Sequence, residues 1–329
     1  MKFEKLYTLG DCFDLFMLDL EGRCSPKTID NYDCHLRYFR QFIESELSAK
    51  ANNIKINTIK ITDLHKYVKM LRGRKKCETH LYKPTENKPV TMTTIRDYCL
   101  DIKTFFSFCY KNDYMDYDIT KNWKLVKREP VEKLPLYQHE VDLIESIFKR
   151  KTENNIRNLC ILHCGLDAGM RSSEVINLKL KDINWKTNYI CIEAGKGFKT
   201  RYIPLSLRLK DLLLKYKLTY RYQNNDPNSY FFFQLASQEP INDNVMKQVY
   251  ARIKKRTEVN RLNHHLLRHT FASSFMCGGG NLETLRDILG HSSYNVTQIY
   301  LHMSNKYKSL SSDIYHLDRR FMDIYYHGR

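Results

Sequence analysis

Apolar residues return at helical spacing from near the start of the chain: Cys12, Phe13, Phe16, Met17 and Leu20, then Ile29, Tyr32, Leu36, Phe39 and Ile43. A stripe repeating every 3.6 residues lets a helix bury one face, so the pattern predicts two helices between Leu9 and Ile43. Ser25-Pro26 separates them and starts the second. Serine can cap free backbone N–H groups, and proline already has the dihedral angle of a first helical residue. The same spacing predicts a third helix after Thr62 and a fourth from Thr93 to Tyr110, with Ile95, Tyr98, Cys99, Ile102, Phe105 and Phe106 on one side. Between those two, Arg72 to Lys76 and the stretch to Pro89 read as an exposed basic loop.

Periodicity lapses over residues 120 to 136, where Pro130, Pro135 and mixed charge mark an interdomain boundary, with the linker placed at 126–136. Helical spacing resumes with Val141, Ile144 and Phe148, and again from Ile156 to Gly169, a glycine just ahead of Arg171. Three short strands are predicted at 182–185, 188–193 and 200–205, the last two joined by the turn Gly195 to Lys199. Beyond Pro204 the spacing is helical to the end, broken near Asn224 to Pro227 and at Gly278 to Gly280. Ile314, Leu317, Phe321, Ile324 and Tyr325 would share one face of an amphipathic end helix. The expected fold is mainly α with a small antiparallel β-sheet, in a helical domain over 1–125 and a second domain over 137–329.

Charge narrows the partner. With 54 Lys+Arg against 37 Asp+Glu the 329-residue chain carries a formal charge of +17, and the parts before and after Pro130 are both basic. A polyanion, nucleic acid first, suits this better than an acidic small molecule. Ten cysteines lie without a CxxC pair; Cys160 and Cys164 read as core thiols, and His163 beside them lacks a second ligand pair for zinc. No secretory signature and no membrane-length apolar run is visible, which points to a cytoplasmic, nucleoid-associated protein without a membrane partner.

The last third of the chain carries chemistry. His265, Arg268, His291 and Tyr300 follow one another, and Arg171 and Lys196 lie upstream. Moving a phosphodiester needs a nucleophile, an acid for the departing oxygen and cations to hold the crowded phosphate. Arg171 and Arg268 supply planar forks that bind two phosphate oxygens and never lose their charge. A free tyrosine has a pKa near ~10, so Tyr300 would need a base or a positive field to attack. Arg72, Arg74, Lys75, Lys76, Lys199 and Arg201 are further candidate DNA contacts. Glu174 reads as a structural partner of Arg171, and His264 and His269 read as packing residues.

The runs AGMRSSEVINL, GKGFKTRYIPL, HHLLRHTFAS and LGHSS followed by QIY resemble the tyrosine recombinase (phage integrase) family. The helices ending in FFSFCYKNDYM resemble its SAM-like core-binding domain. The resemblance implies a C-shaped clamp around DNA. It implies that Tyr300 attacks the scissile phosphate and becomes linked to the 3′ side, leaving a 5′-hydroxyl and, after exchange, a Holliday junction. Lys196 would be the general acid, His265 would assist the tyrosine or orient the phosphate, Arg171 and Arg268 would stabilise the transition state, and His291 would donate a hydrogen bond to it. Because one phosphate ester is exchanged for another, no metal, ATP or other cofactor is expected. The implied partners are double-stranded DNA with inverted-repeat core sites, a homotetramer on synapsed DNA, in which the tail either docks on a neighbour or covers its own domain, and accessory DNA-bending or directionality factors. The job would be integration and excision of a mobile element or resolution of dimers. A type IB topoisomerase-like relaxing enzyme and a non-catalytic DNA-binding protein are the rival readings. Two departures stand out: Asn263-His264 replaces the usual proline or threonine lead-in, and Lys75 to Pro89 is longer than a minimal loop.

Overall fold

Thr8 opens the first helix reciprocally: its hydroxyl accepts the Asp11 N–H while the Asp11 carboxylate accepts the Thr8 N–H. Helix α1 spans Leu9–Arg23 and α2 spans Pro26–Glu46, the latter capped by Ser25 with Pro26 in its first turn. Helices α3 (Ile61–Gly73) and α4 (Met92–Lys111) follow, so all four predicted helices form. The structure, a computed structural model, describes residues 7–76, 78, 85–127, 134–150, 152–193, 200–220, 225–234, 236–291, 297–298, 300 and 314–317. The chain divides into two units, residues 1–131 and 132–329.

The core of the first unit is aromatic. Phe16, Phe39, Tyr67, Phe105 and Phe106 are fully buried, and Phe39 meets Tyr67 and Phe106 edge-on at 5.1 and 5.8 Å between ring centres. The presumed basic loop is in part a strand pair, β1 (Lys75–Lys76) running antiparallel to β2 (Glu86–Pro89). Lys76 reaches the Glu86 carboxylate across it at 2.9 Å, a charge pairing that no apolar alternation signals.

The second unit is built from α5 (Gln138–Ser146), α6 (Glu153–Leu166), α7 (Ser172–Ile176), α8 (Leu207–Tyr220), α9 (Asp243–Thr257), α10 (His264–Cys277) and α11 (Leu282–Leu289). Helix α6 is central and packs against α8 and α10. Gly165 permits the approach to α10, because a Cβ there would lie 2.8 Å from the Leu267 Cβ. Strands β3 (Ile183–Asn184), β4 (Tyr189–Ile192) and β5 (Arg201–Pro204) form the predicted antiparallel sheet in sequential order.

Two expectations are corrected. Residues 225–234 and 236–241 are not helical: isolated bridges join Lys179 to Tyr230 and Phe233 to Pro240, and consecutive Phe231 and Phe232 are both fully buried. The described part of the tail is not helical either. Ile314 bridges Tyr137 of the same chain in antiparallel fashion, the Tyr315 N–H donates to the Leu136 carbonyl at 3.2 Å, and the Tyr315 hydroxyl donates to buried Asp167. These backbone partners and the burial of Ile314, Tyr315 and Leu317 hold residues 314–317 extended against their own domain. Phe321, Ile324 and Tyr325 lie outside the described residues.

His163 is not a metal ligand in this arrangement. It sits fully buried with Nδ1 3.0 Å from Asp167 and Nε2 3.4 Å from Glu145. No metal-binding cluster occurs among the described residues, nor any helix long and apolar enough to cross a membrane.

Candidate active site

Arg171 is delivered by the turn between α6 and α7. Gly169 there has φ +58°, a left-handed conformation, and a Cβ on it would come within 2.5 Å of the Phe271 ring, so both backbone and space demand glycine. Arg171 caps α7 with Glu174: the carboxylate accepts the Arg171 N–H at 2.7 Å and its Nη1 at 2.8 Å. Arg171 Nη2 donates to the Gly290 carbonyl at 2.9 Å, tying this turn to the end of α11. Gly290, at φ +62°, is the left-handed cap of that helix.

Arg201, at the start of β5, is turned inward. It donates to Glu174 at 2.7 Å and to the Ile288 carbonyl at 2.7 Å, and only 12% of its side chain is exposed. Burial pushes the Glu174 carboxyl upward, but the hydrogen bonds and charge of Arg201, with the Arg171 contacts, outweigh this and hold it below the usual range. Glu174 thus remains ionised and fixes two guanidinium groups, the structural part the sequence suggested.

Arg268 is buried on α10. Its Nη1 donates to the Gly169 carbonyl at 2.7 Å; its Nη2 donates to the Leu289 carbonyl at 2.6 Å and to His291 Nε2 at 2.9 Å. Among the described residues no carboxylate is in ion-pair contact with it, so its charge is left for an outside anion. Burial, then the charges of Arg171 and Arg201, lower its pKa to about 10, which still leaves it protonated at neutral pH.

The tautomer of His291 follows from its partners. Arginine can only donate, so Nε2 accepts; Nδ1 then carries the proton and donates to the Thr297 hydroxyl at 3.0 Å. Burial and the charges of Arg268, Arg171 and Arg201 lower its pKa to about 4, so the ring is neutral. An anion bound between these groups would offset that field and favour the protonated, donating form.

Tyr300 is buried, with its ring 5.3 Å from that of His269. Burial raises its pKa while the charge of Arg268 pulls the other way, and burial prevails. The expected activating field therefore reaches Tyr300 but does not ionise it without a bound partner. His265 lies exposed in the first turn of α10, within electrostatic reach of His264 and His291. The structure thus gathers Arg171 and Arg201 on Glu174, joins Arg268 to His291, ties the three arginines to the successive carbonyls of Ile288, Leu289 and Gly290, and sets Tyr300 and His265 in the same field.

Lys196 and Lys199 lie outside the described residues. Arg72, Arg74, Lys75 and Lys76 belong to the first unit. Arg72, Lys75 and Lys76 are exposed, whereas Arg74 stacks over the Tyr38 ring at 3.8 Å. The inward role of Arg201 and the hydrogen bonds of His264 were not visible in the sequence, since nothing in local spacing reports a partner 27 or 94 residues away.

Residues 135–306 match the model of the phage integrase family, and residues 8–125 match that of the phage integrase SAM-like domain. The tyrosine recombinase XerC of Pediococcus pentosaceus is 26% identical over 301 residues, covering 88% of this chain and 91% of the relative. XerC of Staphylococcus aureus is 27% identical over 301 residues, covering 91% and 93%. Among solved structures, the Tn1549 transposon integrase in complex with a circular intermediate DNA aligns with a TM-score of 0.69 at 16% identity, covering 92% of this chain and 99% of the other. A lambda integrase dimer bound to a COC′ core site aligns with a TM-score of 0.67 at 15% identity, covering 89% and 95%. With its larger part matched by the family model and the guanidinium cluster assembled where the motifs lie, the chain belongs to the phage integrase family, the tyrosine recombinases.

Proposed function

We propose that this site-specific recombinase cuts and rejoins duplex DNA through a 3′-phosphotyrosyl link to Tyr300, passing through a Holliday junction, at core sites with inverted repeats. The observation that carries this reading is the convergence of Arg171, Arg268 and His291 with a buried tyrosine in the field of Arg268. The Tyr300 oxygen attacks phosphorus, the bond to the 5′ oxygen breaks, and that oxygen leaves with a proton from Lys196. Arg171 and Arg268 hold the non-bridging oxygens, and His291, protonated once the phosphate offsets the local field, donates to one of them. His265, exposed at the mouth of α10, orients the phosphate or takes the tyrosine proton. The ester energy stays in the phosphotyrosyl link, so rejoining needs no ATP.

Protomers act as a tetramer on two synapsed sites, for integration and excision of a mobile element or for resolution of dimers. A suicide DNA substrate tests the chemistry: the parent protein should form a covalent adduct and Tyr300→Phe none. An adduct persisting in Tyr300→Phe would place the nucleophile elsewhere.

A further inference from the structure

The turn that carries Arg171 is pinned from behind by hydrogen bonds that the proposed chemistry does not use. His264, buried in the first turn of α10, places Nε2 2.8 Å from the Met170 carbonyl and Nδ1 2.7 Å from the Tyr250 hydroxyl on α9. A carbonyl can only accept, so Nε2 carries the proton, and Nδ1 is the lone pair that accepts the tyrosine O–H. Both ring nitrogens are engaged and one tautomer is selected.

Met170 immediately precedes Arg171. Its N–H donates to the Cys164 carbonyl at 3.0 Å, and the Gly169 carbonyl before it accepts Arg268 Nη1 at 2.7 Å. Successive peptide groups of this turn are therefore held by α6, by His264 and by Arg268. Remove the His264 donor and the Met170 carbonyl is left buried without that hydrogen bond, the situation in which a peptide group turns to find another partner. Such a turn would carry the Arg171 N–H off Glu174 and swing its guanidinium away from Gly290.

We propose that His264, oriented by Tyr250, is a positioning residue that fixes the Met170 carbonyl and thereby the phosphate-binding guanidinium of Arg171. The inference rests on Arg171 acting at the scissile phosphate. Burial is the main reason that the His264 ring stays neutral, with its pKa lowered to about 4 and the charges of Arg268 and His265 acting in the same direction. It therefore adds no charge that would compete for the phosphate.

The test uses the full chain, a suicide DNA duplex, gel-shift titration for affinity and single-turnover adduct formation for rate. His264→Phe should slow adduct formation about 100-fold, the scale of an ångström-sized misplacement, with affinity within about 3-fold of the parent. Tyr250→Phe, which keeps the ring and loses the hydroxyl, should slow it about 10-fold and covers the case in which His264→Phe does not fold. His264→Gln, whose amide can still donate to the Met170 carbonyl, should recover much of the lost rate. The proposal is overturned if His264→Phe reacts at the parental rate, if His264→Gln is no faster than His264→Phe, or if affinity falls in step with rate. A parent protein that forms no Tyr300-dependent adduct sinks the catalytic reading instead, so the two failures are distinguishable.

Discussion

The two units keep very different interiors. The first buries mainly aromatic and aliphatic side chains, and apart from the Tyr67 hydroxyl its described buried polar residues are Asp63 and Thr120. The second buries Arg157, His163, Asp167, His264, Arg268 and His269 among its apolar groups. An apolar core is indifferent to which partner fills it, provided volume is conserved. A buried charge must instead find specific donors and acceptors: Arg157 donates to the Phe233 carbonyl, Asp167 accepts the Tyr315 hydroxyl and Arg268 donates to the Gly169 carbonyl, all from distant parts of the chain. The first unit thus reads as a scaffold, the second as a scaffold that also orders buried charges.

That contrast can be broken at several points. The largest effect should come from Arg268→Lys. Lysine keeps a charge but not the fork, so the Gly169 and Leu289 carbonyls and His291 lose their common donor, and adduct formation should fall about 10²- to 10³-fold while the protein remains folded by circular dichroism. A rate near the parental one would show that this buried cation does not serve the chemistry. Next comes Phe105→Ala in the aromatic core, expected to cost about 3–5 kcal/mol in denaturant unfolding of its unit while leaving single-turnover cleavage of the folded protein nearly unchanged. A comparable loss of cleavage would mean that the scaffold and the site are not separable in the way proposed.

The smallest expected effect is on pH dependence. His264 and His291 both have folded pKa values of about 4, below the 6.5 of the free side chain. The unfolded chain therefore binds protons that the folded one does not, and stability falls as pH drops from 6.5 towards 4. His264 contributes about 3 kcal/mol at most, and the less deeply buried His291 less. His163 acts oppositely: its raised pKa gives stability that is present below its unfolded value and lost as pH rises through the folded one. Melting temperatures across this range should fall on acidification in the parent and fall less in His264→Gln; equal slopes would assign the acid sensitivity elsewhere.

Much of the helical frame was readable in advance. Phe13, Phe16 and Leu20, or Ile95, Cys99 and Ile102, declare their burial by position alone, because a helix face is a local property of a few turns. The strand pair at Lys75 was not readable because charged residues rather than an apolar alternation form it, and the extended Ile314 segment was not because its partner, Tyr137, lies far off in the chain. Residues 314–317 show the limit well: backbone pairing with Tyr137 and burial of Tyr315 against Asp167 hold them extended, whatever the apolar spacing around them.

The identity and order of the candidate reactive groups at positions 171, 265, 268, 291 and 300 were set by the chain itself, because the kinds of side chain present limit the chemistry. What tertiary structure alone decided was their state. Arg201 became part of the internal framework, His264 gained a single tautomer between α9 and the Arg171 turn, and Tyr300 stayed un-ionised in a buried place. Charge, tautomer and pKa depend on distance and on exclusion of water, and those quantities exist only once remote segments have packed together.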